Sequence, residues 1–388
     1  MKPRGDHWTL GILAALTAVL LLASCTPNGG AIYYTIENEQ KVATSTLPKE
    51  ITVADLVAVV PGPGAATYMV ASGAIWKGLL AAAGEVVDWG GTPPVPVTPP
   101  VNPGGQALCN ALVVFKGTMP NPRLFGGFFT TGATLGLSMS DDAPGLSWTS
   151  GTAGQVSDLN VKGKQVTLLQ VANNNLFATV ATLSGSSYVY EMYFSADGTT
   201  WMPFLTGRPS TDERLPISGV AWDLTNYWVV SGTKVYSGAS APLSTTPLSL
   251  GAYTIDAADD FPGIFANGAN VFIPSKLGSV YLFNGTTWTK ISAAQVSSAT
   301  VGFLAVGGPV DGGDKYLAGS AGFGYYTLSV SGASLSRFSD NTIALYSAAV
   351  RRIMVDGTTV FLGTSGAGLW RSTFTASGAP NASGWIHE

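Results

Sequence analysis

The sequence predicts an all-β fold of the β-propeller type. A bulky residue recurs at near-constant spacing inside segments rich in Val, Tyr, Phe and Thr, glycines punctuate those segments, and a tryptophan closes several of the repeats. Strand-forming residues bounded by glycine turns favour β-structure over a helical repeat of similar length.

The recurring residues are Tyr68, Phe125, Phe177, Trp228, Phe272, Tyr316 and Phe361, at intervals of 57, 52, 51, 44, 44 and 45. About 45 residues is the length of a four-stranded propeller blade. The last copy is the clearest, with strands expected at 350–355, 359–363, 368–372 and 384–387. Third strands align at Val235-Tyr236-Ser237, Val280-Tyr281-Leu282, Tyr325-Tyr326-Thr327 and Leu369-Trp370-Arg371.

Upstream, residues 51–60, 67–72, 74–77 and 85–89 could supply a seventh, irregular blade. The spacing favours seven blades over residues 31–388, with 31–39 as an outer strand that pairs with the last blade and closes the ring. Closure would remove the edge strands that invite aggregation. The alternative is a six-bladed ring preceded by a small N-terminal module ending near Trp89. Between them, residues 92–105 form a proline-rich excursion, extended because proline fixes φ and removes donors.

The turn Ser195-Ala196-Asp197-Gly198-Thr199-Thr200-Trp201 resembles a shortened Asp-box, the turn found between outer strands of many propeller blades. Residues 140–148 resemble the same box with an insertion, and Asn284-Gly285-Thr286-Thr287-Trp288 keeps only its end. The resemblance implies an aspartate that caps its own turn and a tryptophan packed between sheets, both structural roles.

Ahead of the repeats, Lys2 and Arg4 precede an uncharged, proline-free run over residues 10–23. A basic segment and a short apolar one form a signal peptide, and the run is shorter than the roughly 20 residues of a membrane-spanning helix. Leu22-Ala23-Ser24-Cys25 resembles the bacterial lipobox. That resemblance implies cleavage after Ser24, diacylglycerol on the Cys25 thiol and further acylation, with residues 25–30 as a tether. Two or three chains would hold the protein at a membrane, since one gives an association constant of only about 10⁴ M⁻¹. Thr26 lacks the aspartate that retains enterobacterial lipoproteins at the inner membrane, which favours the outer membrane. Tyr33 to Glu39 (YYTIENE) also resembles uncharacterised spirochaete lipoproteins, a likeness that brings no activity with it.

Composition narrows the function. With Cys25 lipidated, Cys109 has no partner for a disulfide, so stability must come from burial. Charged residues are 11% of the chain; past residue 24 there are 17 basic and 22 acidic residues, without the basic stripe that nucleic acid requires. His387 is the only histidine past the signal and Cys109 lies on an expected strand, so neither a zinc site nor a Ser-His-Asp triad can be assembled. No catalytic residue, resident metal or cofactor is expected; Asp311-Gly312-Gly313-Asp314 lacks the ordered ligand series of a calcium loop.

Asp-box propellers include sialidases, and this likeness implies three arginines clamping a substrate carboxylate. Seven arginines follow the signal, but that family's Arg-Ile-Pro motif is missing, and Arg214-Leu215-Pro216 is a mid-chain echo. The expected binding surface is instead the rim formed by loops that lead into inner strands. It gathers Asp212, Glu213, Arg214, Asp259, Asp260, Asp340, Arg351 and Arg352. The sequence is read as a lipid-anchored envelope propeller that binds a protein or serves as a scaffold, in outer-membrane or envelope assembly. It lacks the tryptophan-docking repeats of the eight-bladed assembly lipoproteins. A sialidase-like or other glycoside hydrolase and a glycan-binding adhesin are the alternatives.

Overall fold

The computed structural model describes residues 53–58, 66–71, 73–80, 87–88, 108–129, 134–140, 158–248, 259–294, 300–338, 343–381 and 384–387. Contacts divide the chain into Met1–Ser45 and Thr46–Glu388, and every described residue belongs to the second unit. Cys25, the tether, the outer strand expected at 31–39 and the proline-rich 92–105 lie outside the described residues, as do the boxed turn beyond Ser140 and Asp340.

The described chain is all-β apart from one short helix, and its sheets are built in sequence order. The first contains β1 (Val53–Ala58), β2 (Ala66–Ala71), β3 (Ala74–Leu80) and β4 (Val87–Asp88). The second has β5 (Leu108–Phe115), β6 (Arg123–Phe129) and β7 (Thr134–Met139). The third has β8 (Gln165–Ala172), β9 (Asn175–Ser184), β10 (Ser187–Ser195) and β11 (Met202–Leu205). The fourth has β12 (Ile217–Trp222), β13 (Tyr227–Ser231) and β14 (Lys234–Gly238). The fifth comprises β15 (Phe265–Asn267), β16 (Asn270–Ser275), β17 (Ser279–Phe283) and β18 (Trp288–Ser292). The sixth comprises β19 (Phe303–Gly307), β20 (Lys315–Ser320), β21 (Tyr325–Ser329) and β22 (Ser334–Arg337). After the helix α1 (Ile343–Tyr346) come β23 (Ala349–Asp356), β24 (Thr359–Ser365), β25 (Leu369–Thr373) and β26 (Ile386–His387).

Each sheet is an antiparallel meander, and the six from β5 to β26 follow one another as propeller blades. A separate hydrophobic core fills each space between successive members of this set. The β1–β4 sheet meets β5 on one side and β23 and β24 on the other. Neighbouring blades thus bury both faces of each sheet, which explains strands with runs of buried residues such as Tyr227–Ser231.

Every bulky residue used to align the repeats lies on the second strand of its sheet. Phe125, Phe177, Trp228 and Phe272 all pack toward the following sheet. Tyr316 is the exception: it packs back against Phe272, with ring centroids 4.5 Å apart, while Leu317 faces forward. The aligned position here is one residue off, and in a strand that reverses the face.

The turn from β10 to β11 shows why a short polar segment can end a blade. Asp197 Oδ1 accepts the amides of Thr199 and Thr200 at 2.8 Å each and the Ser195 hydroxyl at 3.0 Å. Trp201 is buried between this sheet and the previous one, and its amide donates to Asp158 Oδ2. Gly198 has φ +72°, and an added Cβ would meet the Phe125 ring at 2.4 Å, so glycine is required on both counts.

Burial tends to raise the Asp197 pKa, but the hydrogen bonds from Thr200, Thr199 and Ser195 outweigh it and hold the carboxyl well below its ordinary range. A lowered folded pKa gives stability that is present above the unfolded value, about 3.9, and lost as pH falls through the folded one. Acid titration of unfolding should therefore show Asp197→Asn losing less stability than the parent below about pH 4; parallel curves would contradict this.

Candidate functional site

Six of the seven inner strands share one irregularity. The register slips between Val53 and Asp55, Cys109 and Ala111, Val166 and Leu168, Ile217 and Gly219, Phe303 and Ala305, and Val350 and Arg352. Such a bulge sets two residues of one strand against one of its partner and bends the strand. In these six it recurs near the start of the strand, where the loop from the preceding blade arrives.

Beside these bulges is a cavity of about 180 Å3, bordered by β8, β12, β19, β23 and the segment leading into β15. The apolar residues among its lining include Leu168, Ile264, Val306 and Ile353. Two polar groups in the wall are engaged in the fold. Gln170 Oε1 accepts the Val220 amide at 2.7 Å, and the Ser218 hydroxyl donates to the Phe261 carbonyl. Close approach is secured by Gly219, where a Cβ would stand 2.8 Å from Ile264 Cγ2. The charged residues among the lining are Arg351 and Arg352, and no acidic residue is among them.

Arg351 and Arg352 were expected just before an inner strand; they lie within β23 itself. Arg351 is the extra residue of the bulge and is exposed, whereas Arg352 is half-buried and its Nη1 donates to the Arg351 carbonyl at 3.2 Å.

The other expected rim residues divide by role. Asp212, Glu213 and Arg214 lie on the turn between β11 and β12, with Arg214 exposed. Asp259 is not a rim charge: it is 7% exposed, and both carboxylate oxygens accept from the Ser275 hydroxyl. Asp260 pairs with Lys276 on the neighbouring turn. The carboxylates of Asp311 and Asp314 also serve their own loops: Asp311 accepts three amides, and Asp314 accepts the Ser331 amide and the Ser329 hydroxyl.

Sequence reasoning missed Arg208, which holds the rim turn in place. It is 3% exposed, and its guanidinium donates to Ser231 Oγ and to the Tyr190 carbonyl, both at 2.6 Å. The Tyr190 amide in turn donates to the Glu213 carbonyl at 2.8 Å, tying hairpin β9–β10 to the turn that carries Arg214. Leu183 and Tyr188, opposed near the tip of that hairpin, are 62% and 45% exposed. They give this end of the ring an apolar projection.

The arginines do not converge on a three-point clamp. Arg208 and Arg371 are buried, Arg123 donates to Met139, and Arg337 stacks on Tyr346. Only Arg351 and Arg352 of the seven line the cavity. Cys109 is a buried strand residue whose thiol donates to the Ala111 carbonyl.

No protein-family profile matches the chain, and no curated protein matches it. Solved structures share its fold. A structure of YCF48 bound to a D1 peptide is similar with a TM-score of 0.57 at 14% identity, over 87% of this chain and 96% of the other. YCF48 from Cyanidioschyzon merolae gives 0.52 at 16% identity, over 86% and 98%. The WD40 β-propeller domain of Doa1 gives 0.51 at 12% identity, over 84% and 95%. At these identities the likeness establishes the architecture alone, and by that measure the chain folds as a β-propeller.

Proposed function

We propose that the protein is a binding module that presents one end of its propeller to a protein partner in the cell envelope. The observation that carries this reading is the cavity beside the inner-strand bulges. Its lining includes Arg351 and Arg352 and no acidic residue, and it is bordered by the inner strands that the rim loops enter. A concave site with a few convergent polar groups is a common form of recognition site. The similar YCF48 was solved with a peptide bound, which supports a protein ligand here.

In the same reading the β1–β4 sheet is a seventh blade. Its contacts with β5 and with β23 and β24 support that role, because they bridge the first and last of the six blades. The lipobox-like Leu22-Ala23-Ser24-Cys25 supports an anchor at the outer membrane, with the propeller acting as a scaffold in envelope assembly. Cys25→Ala should abolish fatty-acid labelling and release the protein from the membrane; persistent labelling would contradict the anchor.

The binding face is tested by crosslinking in intact cells. A defined partner should be trapped by the parent protein and lost when Arg351 and Arg352 are both changed to glutamate, since like-charge juxtaposition at an interface costs several kcal/mol. An unchanged crosslinking pattern would remove these arginines from the interface.

A further inference from the structure

The end of the propeller opposite the proposed partner face has a surface of its own. In an antiparallel meander, the turns after the first and third strands share one end of the sheet. Hydrogen bonds join several of these turns. Asn173 and Asn175, at the β8–β9 turn, both donate to the Tyr227 hydroxyl at the start of β13. The Thr118 amide, on the β5–β6 turn, donates to the Ala196 carbonyl on the β10–β11 turn. Residues 158–160 belong to the same end, because Asp158 accepts the Trp201 amide and Asn160 donates to the Trp201 carbonyl.

Among the described residues, the two most exposed large apolar side chains both stand here, Leu159 at 82% and Leu224 at 71%. Val171, beside the β8–β9 turn, and Met202, which opens β11, are exposed as well. Turn positions are ordinarily taken by Gly, Pro, Asn, Asp or Ser. Leu224 moreover has φ +78°, where glycine or asparagine is at ease and a branched apolar side chain is strained. The backbone under both leucines is fixed. Asp158 accepts the Asn160 amide, and Asp223 accepts the amides of Thr225 and Asn226 and the Trp228 indole.

From this end, we infer that the propeller docks on an anionic lipid bilayer, with Leu159 and Leu224 entering the boundary between headgroups and acyl chains. The inference goes beyond the partner reading and does not depend on it. Charge supports a lipid surface. Lys116 and Lys162 are exposed at this end and form no ion pair with a described residue, whereas the carboxylates of Asp158, Asp197 and Asp223 accept hydrogen bonds from the turns. Binding to such a surface combines buried apolar area with attraction of lysines to anionic headgroups. A protein interface would instead be anchored by Trp, Tyr and Arg, with Leu and Val under-represented. Asp311, Asp314 and Asp356 belong to the sixth and last sheets, so the contact lies on the side of Leu159 and Leu224.

The test places the full chain with vesicles of phosphatidylcholine and phosphatidylglycerol whose acyl chains are brominated. An environment-sensitive fluorescent residue is introduced singly at Leu159, at Leu224 or, as the control at the other end, at Leu183. Emission should shift to the blue and be quenched at 159 and 224, and should stay that of a water-exposed probe at 183. Lys116→Gln and Lys162→Gln should each lower the ratio of docked to undocked molecules about fivefold in these vesicles and leave it unchanged in phosphatidylcholine alone. Thermal melting of each variant confirms that it is folded. Equal emission at the two ends, which a lipid anchor alone would give, would overturn the proposal, as would lysine variants that dock like the parent. A photoreactive residue at 159 that traps a defined protein in cells, with no phospholipid, would also overturn it. None of these results bears on the partner face, which is read from crosslinks at the opposite end.

Discussion

Phe177→Ala is expected to destabilise the protein by about 4 kcal/mol, within the range for truncating a buried phenylalanine. Phe177 is 1% exposed in the core between the third and fourth sheets. Its ring meets Phe204 edge-on at 4.7 Å and lies 5.6 Å from Tyr227 and 6.2 Å from Phe194. Truncation removes the buried area and leaves those three rings around a void. Aromatic pairing adds about 0.5–1.5 kcal/mol beyond area. The neighbours cannot collapse freely, because Tyr227 is also held by hydrogen bonds from Asn173 and Asn175. Urea unfolding should show a lower midpoint at unchanged slope, and a loss under about 1 kcal/mol would mean that this core is not close-packed.

Arg208→Ala should cost about 3 kcal/mol and loosen the rim. A hydrogen bond from a charged group contributes about 1.5–3 kcal/mol, and Arg208 makes two that link different sheets. Removing it leaves the Tyr190 carbonyl without this donor and opens space beside Tyr236, whose ring centroid lies 6.0 Å from the guanidinium. Tyr236 in turn donates to Asp212 at 3.3 Å, so the effect should reach the rim turn. Hydrogen exchange should accelerate over residues 209–215. Arg208→Lys should recover only part of the stability, because an ammonium cannot reproduce the fork to both acceptors. Wild-type exchange in Arg208→Ala would refute the bracing role.

These two residues differ in how visible they were. Phe177 belongs to a repeat, and repeats are legible because each blade solves the same burial problem with the same strand pattern. Tyr316 marks the limit of that reading: Tyr316 and Leu317 are adjacent large apolar residues, and composition cannot decide which one faces forward. Arg208 stands alone between Gly207 and Pro209 and resembles any loop arginine. Its burial depends on Ser231 and Tyr190, which meet it only in the folded chain.

The candidate site was legible in part for the same reason. Arg351 and Arg352 stood out as charges in a charge-poor chain, yet adjacent arginines read as a solvent turn when strict alternation is assumed. The bulge that sets both against Gly363 is a feature of strand pairing. Asp259 was misassigned because an acidic pair before a strand looks like a solvated rim, whereas its carboxylate caps Ser275.

The central claim is that one end of the ring, where loops enter the inner strands, meets a protein partner. Photocrosslinking compares the two ends directly, with a photoreactive residue placed at exposed Arg214 on the rim turn or at Leu224, 71% exposed on the turn joining β12 to β13 at the opposite end. The account predicts a defined crosslinked species from position 214 that is absent from position 224 and lost when Arg351 and Arg352 are changed to glutamate. The same species from position 224, with none from 214, would place the partner on the other face and contradict it.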